Sequence, residues 1–248
     1  MRPLVDGDDL NVTTFKQTIR EFSMYARPSC LDRRSRTAFA AALFLGVLTP
    51  SFAVAADSPS SPFPGLELVS SKNVGALYRR PDVDISAYSK IMLGEPTVEF
   101  SKNWNPRNYG RYGLSAAQLT KIRVDLADLA KGVFAKSLSD GGYEIVTDAG
   151  DGVLVITPNV VNLFINAPDV PTAGRSRTYT MDAGSATLAL QVNDAVTGTL
   201  LAVALDKQRS GSSTFQWATS VSNRAAAEQM LKGWAEQVKR ELDAARAK

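Results

Sequence analysis

Apolar residues at helical spacing stand out first. In "LSAAQLTKIRVDLADLAKGVFAKSLSDGG" (114–142), Leu119, Ile122, Leu126, Leu129, Val133 and Leu138 form one stripe about a cylinder. Ser115 with Gln118 three residues on has capping-box spacing, and Gly141 and Gly142 offer a left-handed ending. A second stripe, Ala227, Leu231, Trp234, Val238 and Leu242, runs through "VSNRAAAEQMLKGWAEQVKRELDAARAK". Glu236, Arg240 and Glu241 are expected on its outer side, and the mixed signs favour packing on a sheet over lying on a membrane.

Between and before these stripes the period changes to two. Ile91 and Leu93, then Val98 and Phe100, predict a first strand interrupted at Gly94 and Pro96. "YEIVT", "GVLVIT" running past Pro158 into "VVNLFIN", "ATLALQVND" and "LLAVALDKQ" come next as strands. Leu188, Leu190 and Val192 alternate with Thr187, Ala189, Gln191 and Asn193, giving one buried and one wetter face. Pro158 cannot donate to a ladder, so a bulge or edge segment is expected there. In "NDAVTGT", Asp194 can bond local backbone and Gly198 can take positive φ, which predicts a hairpin turn. The expected fold is one α+β, two-layer domain: a mixed five-stranded sheet in the order β-α-β-β-β-β-α, with two helices on one face.

The chain before residue 66 has a different pattern. Arg33, Arg34 and Arg36 precede an uncharged run over 37–48, after which come Pro50 and the small-x-small site Ala53, Val54, Ala55. A run of about 12 residues cannot span a bilayer core, which needs about 20. The order of charge, apolar core and small residues is that of a signal peptide over 24–56, cut after Ala55 or Ala56. Residues 1–23 carry Asp6, Asp8, Asp9 and Glu21, unusual before such a run, so Met24 is an alternative start and 1–23 an untranslated or disordered extension. Arg33 with Arg34 leaves both the Sec and the Tat route open. "DSPSSPFPG" (57–65) is a Ser/Pro-rich tether, leaving 66–248 as the single folded domain.

Composition narrows the chemistry. The chain has 28 Lys+Arg and 25 Asp+Glu; residues 1–56 hold 7 and 5 of these, leaving a near-neutral 21 and 20. That lacks the basic footprint of a nucleic-acid binder, so no nucleic-acid partner is expected. The only cysteine, Cys30, precedes the apolar run, and there is no histidine, which removes Ser-His-Asp and Cys-His catalysis and His-ligated metal sites. No Asp-rich calcium loop occurs. No cofactor, metal or catalytic set is expected.

Two irregular segments are candidate binding surfaces. "SKNWNPRNYGRYG" (101–113) brings together Trp104, Arg107, Tyr109, Arg111 and Tyr112, the residue types interfaces favour, set against the plainer expectation that Trp104 and the tyrosines plug the gap between strand and helix, since a large aromatic in a loop usually finds core contact. A long polar linker over 166–184 carries Arg175, Arg177 and Tyr179. Carboxylate pairs Asp82 with Asp84 and Asp194 with Asp206 make an acid and a base only if burial or proximity separates their pKa values.

Taken together, "PDVDISAYSKIMLGEPTVEF" (81–100), "GGYEIVTDAGDGVLVITPNVVNL" (141–163) and "LQVNDAVTGTLLAVALDKQ" (190–208) resemble the bacterial domain of unknown function 3313, a family of predicted lipoproteins and secreted envelope proteins. The D-x-x-T-G-x-x-L pattern at Asp194, Thr197, Gly198 and Leu201 is the most recognisable piece. The resemblance implies location and fold and no reaction. It implies a lipid-bearing Cys after the signal core, which this chain lacks, so a released periplasmic or secreted protein without a transmembrane span is expected. Three functions are expected, in order. The first is a non-enzymatic accessory domain contacting an envelope protein or cell-wall component through the Trp104 to Tyr112 segment. The second is a small-molecule binder beside the Arg175 to Tyr179 loop, and the third a carboxylate-based hydrolase.

Overall fold

The computed structural model describes residues 61–108, 113–166, 179–217 and 220–247, with 179–183, 210–217 and 220–223 as backbone only. The extension over 1–23, the signal segment with Cys30, Ala55 and Ala56, and most of the tether lie outside the described residues. The chain divides between Pro64 and Gly65. The first unit contributes only 61–64, where the Phe63 amide donates to the Ser61 hydroxyl (3.2 Å). The second unit, Gly65–Lys248, holds both helices and the whole sheet.

Two helices form where the stripes predict them. Helix α1 spans Ala116–Asp140 and opens with the expected capping box: the Gln118 amide donates to Ser115 Oγ (3.3 Å), and the Ser115 amide donates to Gln118 Oε1 (2.8 Å). Its buried line is Leu126, Ala130, Val133, Phe134 and Leu138, so Phe134 joins the stripe and Leu119 stays at its edge. The left-handed ending falls on Gly142 alone (φ 87), since Gly141 keeps negative φ. Helix α2 spans Ser220–Arg246 and buries Leu231, Trp234, Ala235, Val238 and Leu242.

Among the described residues the sheet has eight strands where five were expected. They are β1 (Glu67–Val69), β2 (Ala76–Arg79), β3 (Lys90–Leu93), β4 (Val98–Phe100), β5 (Glu144–Val146), β6 (Val153–Ile165), β7 (Tyr179–Asp194) and β8 (Leu200–Trp217), ordered β1-β2-β8-β7-β6-β3-β5, with β4 also on β6. The class is α+β with a mixed sheet: β3 pairs in parallel with β5 and β6, and β4 with β6, while β1, β2, β8, β7 and β6 are antiparallel. The interrupted first strand is two strands, β3 and β4, and β1 and β2 form an added hairpin at the other edge.

Pro158 sits in a central strand, fully buried, and the interruption explains how. Between β3 and β4 the ladder steps from Gly94 N donating to Ile156 O (3.0 Å) to Val160 N donating to Thr97 O (2.8 Å), so no donor is needed at Pro158. The backbone N–H and hydroxyl of Thr97 both donate to Asn159 Oδ1 (2.9 and 2.8 Å), which satisfies a carboxamide only 5% exposed. Gly94 leaves room here, because a Cβ would lie 2.1 Å from Thr157 Oγ1 and that side chain would have to turn away.

Both helices pack on one face of the sheet, against Ile91, Leu154, Ile156, Val160, Leu188, Leu190, Val192, Ala202 and Ala204. Paired residues on neighbouring strands share a face, which makes two adjacent rungs of this floor explicit. One is Leu77, Ala204, Leu190 and Pro158; the next is Arg79, Ala202, Val192 and Ile156. The opposite face carries the larger β8 residues Val203 and Leu205, also buried, with Tyr78 and Ala189.

Candidate functional site

Of the segment over 101–113, residues 101–108 and 113 are described, and Trp104 is the buried one. Trp104 is 6% exposed, donates its indole N–H to Ile165 O (2.8 Å) and stacks on Phe100 with ring centroids 4.5 Å apart. Arg123 lies over the Phe100 ring of that pair, 4.9 Å from its centroid. Trp104 is therefore buried against β4 and the end of β6 and is not available at the surface. Arg107, on the short 3-10 turn Pro106–Asn108, is exposed. Tyr109, Arg111 and Tyr112 lie outside the described residues, as do Arg175 and Arg177. Tyr179 stands not in a loop but at the start of β7, opposite Trp217, so the strand reaches further into the polar linker than alternation suggested.

Asp194 and Asp206 do not come together. Asp194 pairs with Leu154 at one end of β7, while Asp206 sits opposite Leu188, which separates them by six strand residues or about 20 Å. Asp194 builds the turn: its Oδ1 accepts from Val196 N (3.0 Å), Thr197 N (2.7 Å) and the Thr197 hydroxyl (2.9 Å), and Gly198 takes φ 67. Tyr88 donates its hydroxyl to the other oxygen (2.9 Å). The Thr197 amide, then Tyr88, hold the Asp194 carboxyl below its usual range. The D-x-x-T-G pattern is thus a hairpin turn pinned to Tyr88. Asp206 accepts the Trp234 indole N–H (2.9 Å), and Asp84 caps the 3-10 turn Ile85–Ala87 through Ser86 N (2.8 Å).

The feature that sequence reasoning missed is a chamber of about 320 Å³ between the sheet and the C-terminal end of α2. Its floor is Leu77, Leu190, Val192, Ala202 and Ala204; its roof is Val238, Leu242 and Ala245. The cause is steric. On β8 the side chains turned to the helix are alanines, Ala202 and Ala204, and the end of α2 adds Ala245, so small residues line both sides and the gap stays open. Its signal in sequence was the small-large alternation in "LLAVAL", with the small residues on the helix side.

A polar strap closes one side. The loop over 70–74 is tied to α2 because Glu241 Oε1 accepts from the Ser71 hydroxyl (2.6 Å) and from Asn73 Nδ2 (2.7 Å), while Arg240 Nε donates to Asn73 Oδ1 (3.3 Å). Glu241 therefore faces the loop and not the outer side of the helix, as its spacing had suggested. Exposed Ser70, Lys72 and Ala244 mark the open side. Arg79 also lines the chamber, and its Nε is buried with no hydrogen-bond acceptor. An unsatisfied buried donor costs about 1–3 kcal/mol.

A wider groove of about 790 Å³ runs between α1 and α2. Its charges are largely spent along their own helices, in Lys136–Asp140 (2.9 Å) and Lys232–Glu228 (2.9 Å), as expected of a solvated helical face. Among the described residues no group of three or more acidic or Cys side chains could hold a metal ion, and no helix is long and apolar enough to cross a membrane.

These features define an α+β protein whose mixed sheet carries two helices on one face, with a ligand-sized chamber beneath one of them. The family model described as protein of unknown function (DUF3313) matches residues 60–238, and the chain belongs to that family. No curated protein sequence matches this chain. Among solved structures, it is similar to the PelC dodecamer from Paraburkholderia phytofirmans (9% identity, TM-score 0.32, 63% of this chain and 94% of that one). It is similar also to a DUF330 protein from Xanthomonas campestris (14%, TM-score 0.35, 63% and 88%) and to a DUF4136 family protein from Bacteroides thetaiotaomicron (10%, TM-score 0.30, 71% and 97%). Likenesses this distant carry no inference about ligand, partner or assembly.

Proposed function

We propose that this chain is an exported, non-catalytic binding domain that seats a small apolar ligand in the chamber between β8 and α2. The observation that carries the reading is the chamber of about 320 Å³ lined by the small side chains Ala202 and Ala204 of the sheet and Ala245 of the helix. That volume falls in the range of small-molecule sites, which are mostly apolar with a few polar groups at the rim. The burial of Trp104 is the reason this reading stands ahead of a protein contact through residues 101–113. Export to the periplasm or medium, without a lipid anchor, is supported by the charged, apolar and small-residue order over 33–55 and by the lack of a Cys after it. The domain boundaries proposed with it are a leader over 24–56, a tether over 57–65 and a binding domain from 66.

The test uses the neutral fluorophore aminoanthracene and protein purified from the extracytoplasmic fraction. Saturable binding to the wild type that is lost in Ala204→Leu, with the melting temperature kept or raised, is the expected result. No saturable binding to the wild type overturns the ligand seat. N-terminal sequencing of the same sample is expected to begin at Ala56 or Asp57.

A further inference from the structure

Resting on the chamber as the ligand seat, we infer that it selects an oxyanion head on an apolar chain, with the Arg79 guanidinium as counter-ion. Arg79 lies opposite Ala202 and so points to the helix side of the sheet, into the chamber. A guanidinium stays protonated in proteins and carries five donors in a planar fork that matches a carboxylate or phosphate. Other half-buried arginines nearby have acceptors: Arg80 Nε donates to Leu200 O (3.2 Å) and Arg246 Nη2 to Tyr88 O (2.7 Å). The Arg79 Nε has none.

The nearby carboxylates are turned to other donors, including Glu241, which itself lines the chamber and spends Oε1 on the strap. Glu241 Oε1 takes Ser71 and Asn73, and Asp206 takes Trp234, Gln208 Nε2 (3.1 Å) and the Gly75 amide (3.1 Å). Arg79 forms no ion pair among the described residues. Arg79 is half-buried and its Nε is a buried donor without an acceptor, a cost that an incoming anion accepting from it removes. Lys72, exposed on the rim, adds a second positive charge on the path in. The apolar floor and roof then take the chain, so the ligand class is a medium-chain carboxylate or alkyl phosphate monoester.

Decanoate, decyl phosphate, decanol and decyltrimethylammonium are titrated below their micellar concentrations against the wild type, Arg79→Met and Arg79→Lys, by calorimetry and by displacement of aminoanthracene. The wild type is expected to bind at least one oxyanion about tenfold or more tighter than decanol, and the trimethylammonium amphiphile most weakly. Whether decanoate or decyl phosphate leads tells a carboxylate source from a phosphate one. Arg79→Met is expected to bring the oxyanions to the affinity of decanol, with decanol unmoved. If Arg79→Met does not fold, as seen by circular dichroism, Arg79→Lys carries the test and is expected to lose affinity for the oxyanions alone. Equal affinity for decanol and the oxyanions, or an oxyanion preference that survives at Arg79→Met, overturns the inference and leaves the chamber standing as an apolar seat. If neither the amphiphiles nor aminoanthracene bind, the seat itself fails.

Discussion

Helix α2 meets the same sheet face at two places along its length, with opposite packing. Near its middle it lays Trp234 and Ala235 on the Leu188 and Asp206 rung, both fully buried, and the indole N–H reaches the Asp206 carboxylate. Towards its end it lays Val238, Leu242 and Ala245 over Ala202 and Ala204, and a chamber opens. Strand, helix and rung spacing are common to both places. What differs is side-chain volume on the two facing surfaces, so the cavity is a local choice of residues and not a property of the architecture.

The largest effect is expected at the packed end. Trp234→Ala is expected to cost about 3–5 kcal/mol in urea unfolding, the range for large aromatic truncations; a loss under about 1 kcal/mol would mean the two ends are packed alike. The same enlargement at each end then gives opposite signs. Ala235→Leu is expected to destabilise by about 1–3 kcal/mol through overpacking, whereas Ala204→Leu fills open space and leaves stability level or higher. Equal losses in the two variants would close the chamber as a feature of the protein in solution.

A smaller effect separates the strap from both. Glu241→Ala removes acceptors from Ser71 and Asn73 and is expected to cost about 1 kcal/mol, with faster amide exchange confined to residues 71–76; unchanged exchange there would show that the loop holds without α2. Smallest is the acid limb. The Thr197 amide and Tyr88 hold Asp194 below its ordinary 3.8, so its contribution is complete above that value and fades as the pH falls through the lower folded value. Asp194→Asn is expected to lower the neutral melting temperature slightly and to flatten the decline below about pH 4. An unchanged decline would assign the acid limb elsewhere, Asp243 being the first alternative, since the Tyr143 hydroxyl and then Lys239 depress it as well.

Long elements with strong periodicity were legible in the sequence. Both helices, the capping box at Ser115 and the turn at Asp194 stand where the residues put them. Strands β1 and β2 were not, because runs of three and four residues are too short to show alternation. The far arms of β7 and β8 were missed because Ser, Gly and Thr carry no apolar period there. The site was hidden for another reason. An apolar chamber is made of ordinary core residues, and its one chemical marker, Arg79, reads in "LYRRPD" as a surface charge. Only the register opposite Ala202 turns it inward.

The buried carboxamide of Asn159 has a consequence for how the sheet assembles. Strand β4 is three residues long and joins β6 in parallel, an arrangement with little ladder to define its alignment. Slipped by one residue, Thr97 would no longer reach Asn159, and a dry amide oxygen would lose both of its donors. Misalignment therefore carries a penalty of about 1–3 kcal/mol from desolvation alone, so a single side chain proofreads a pairing that strand length could not secure.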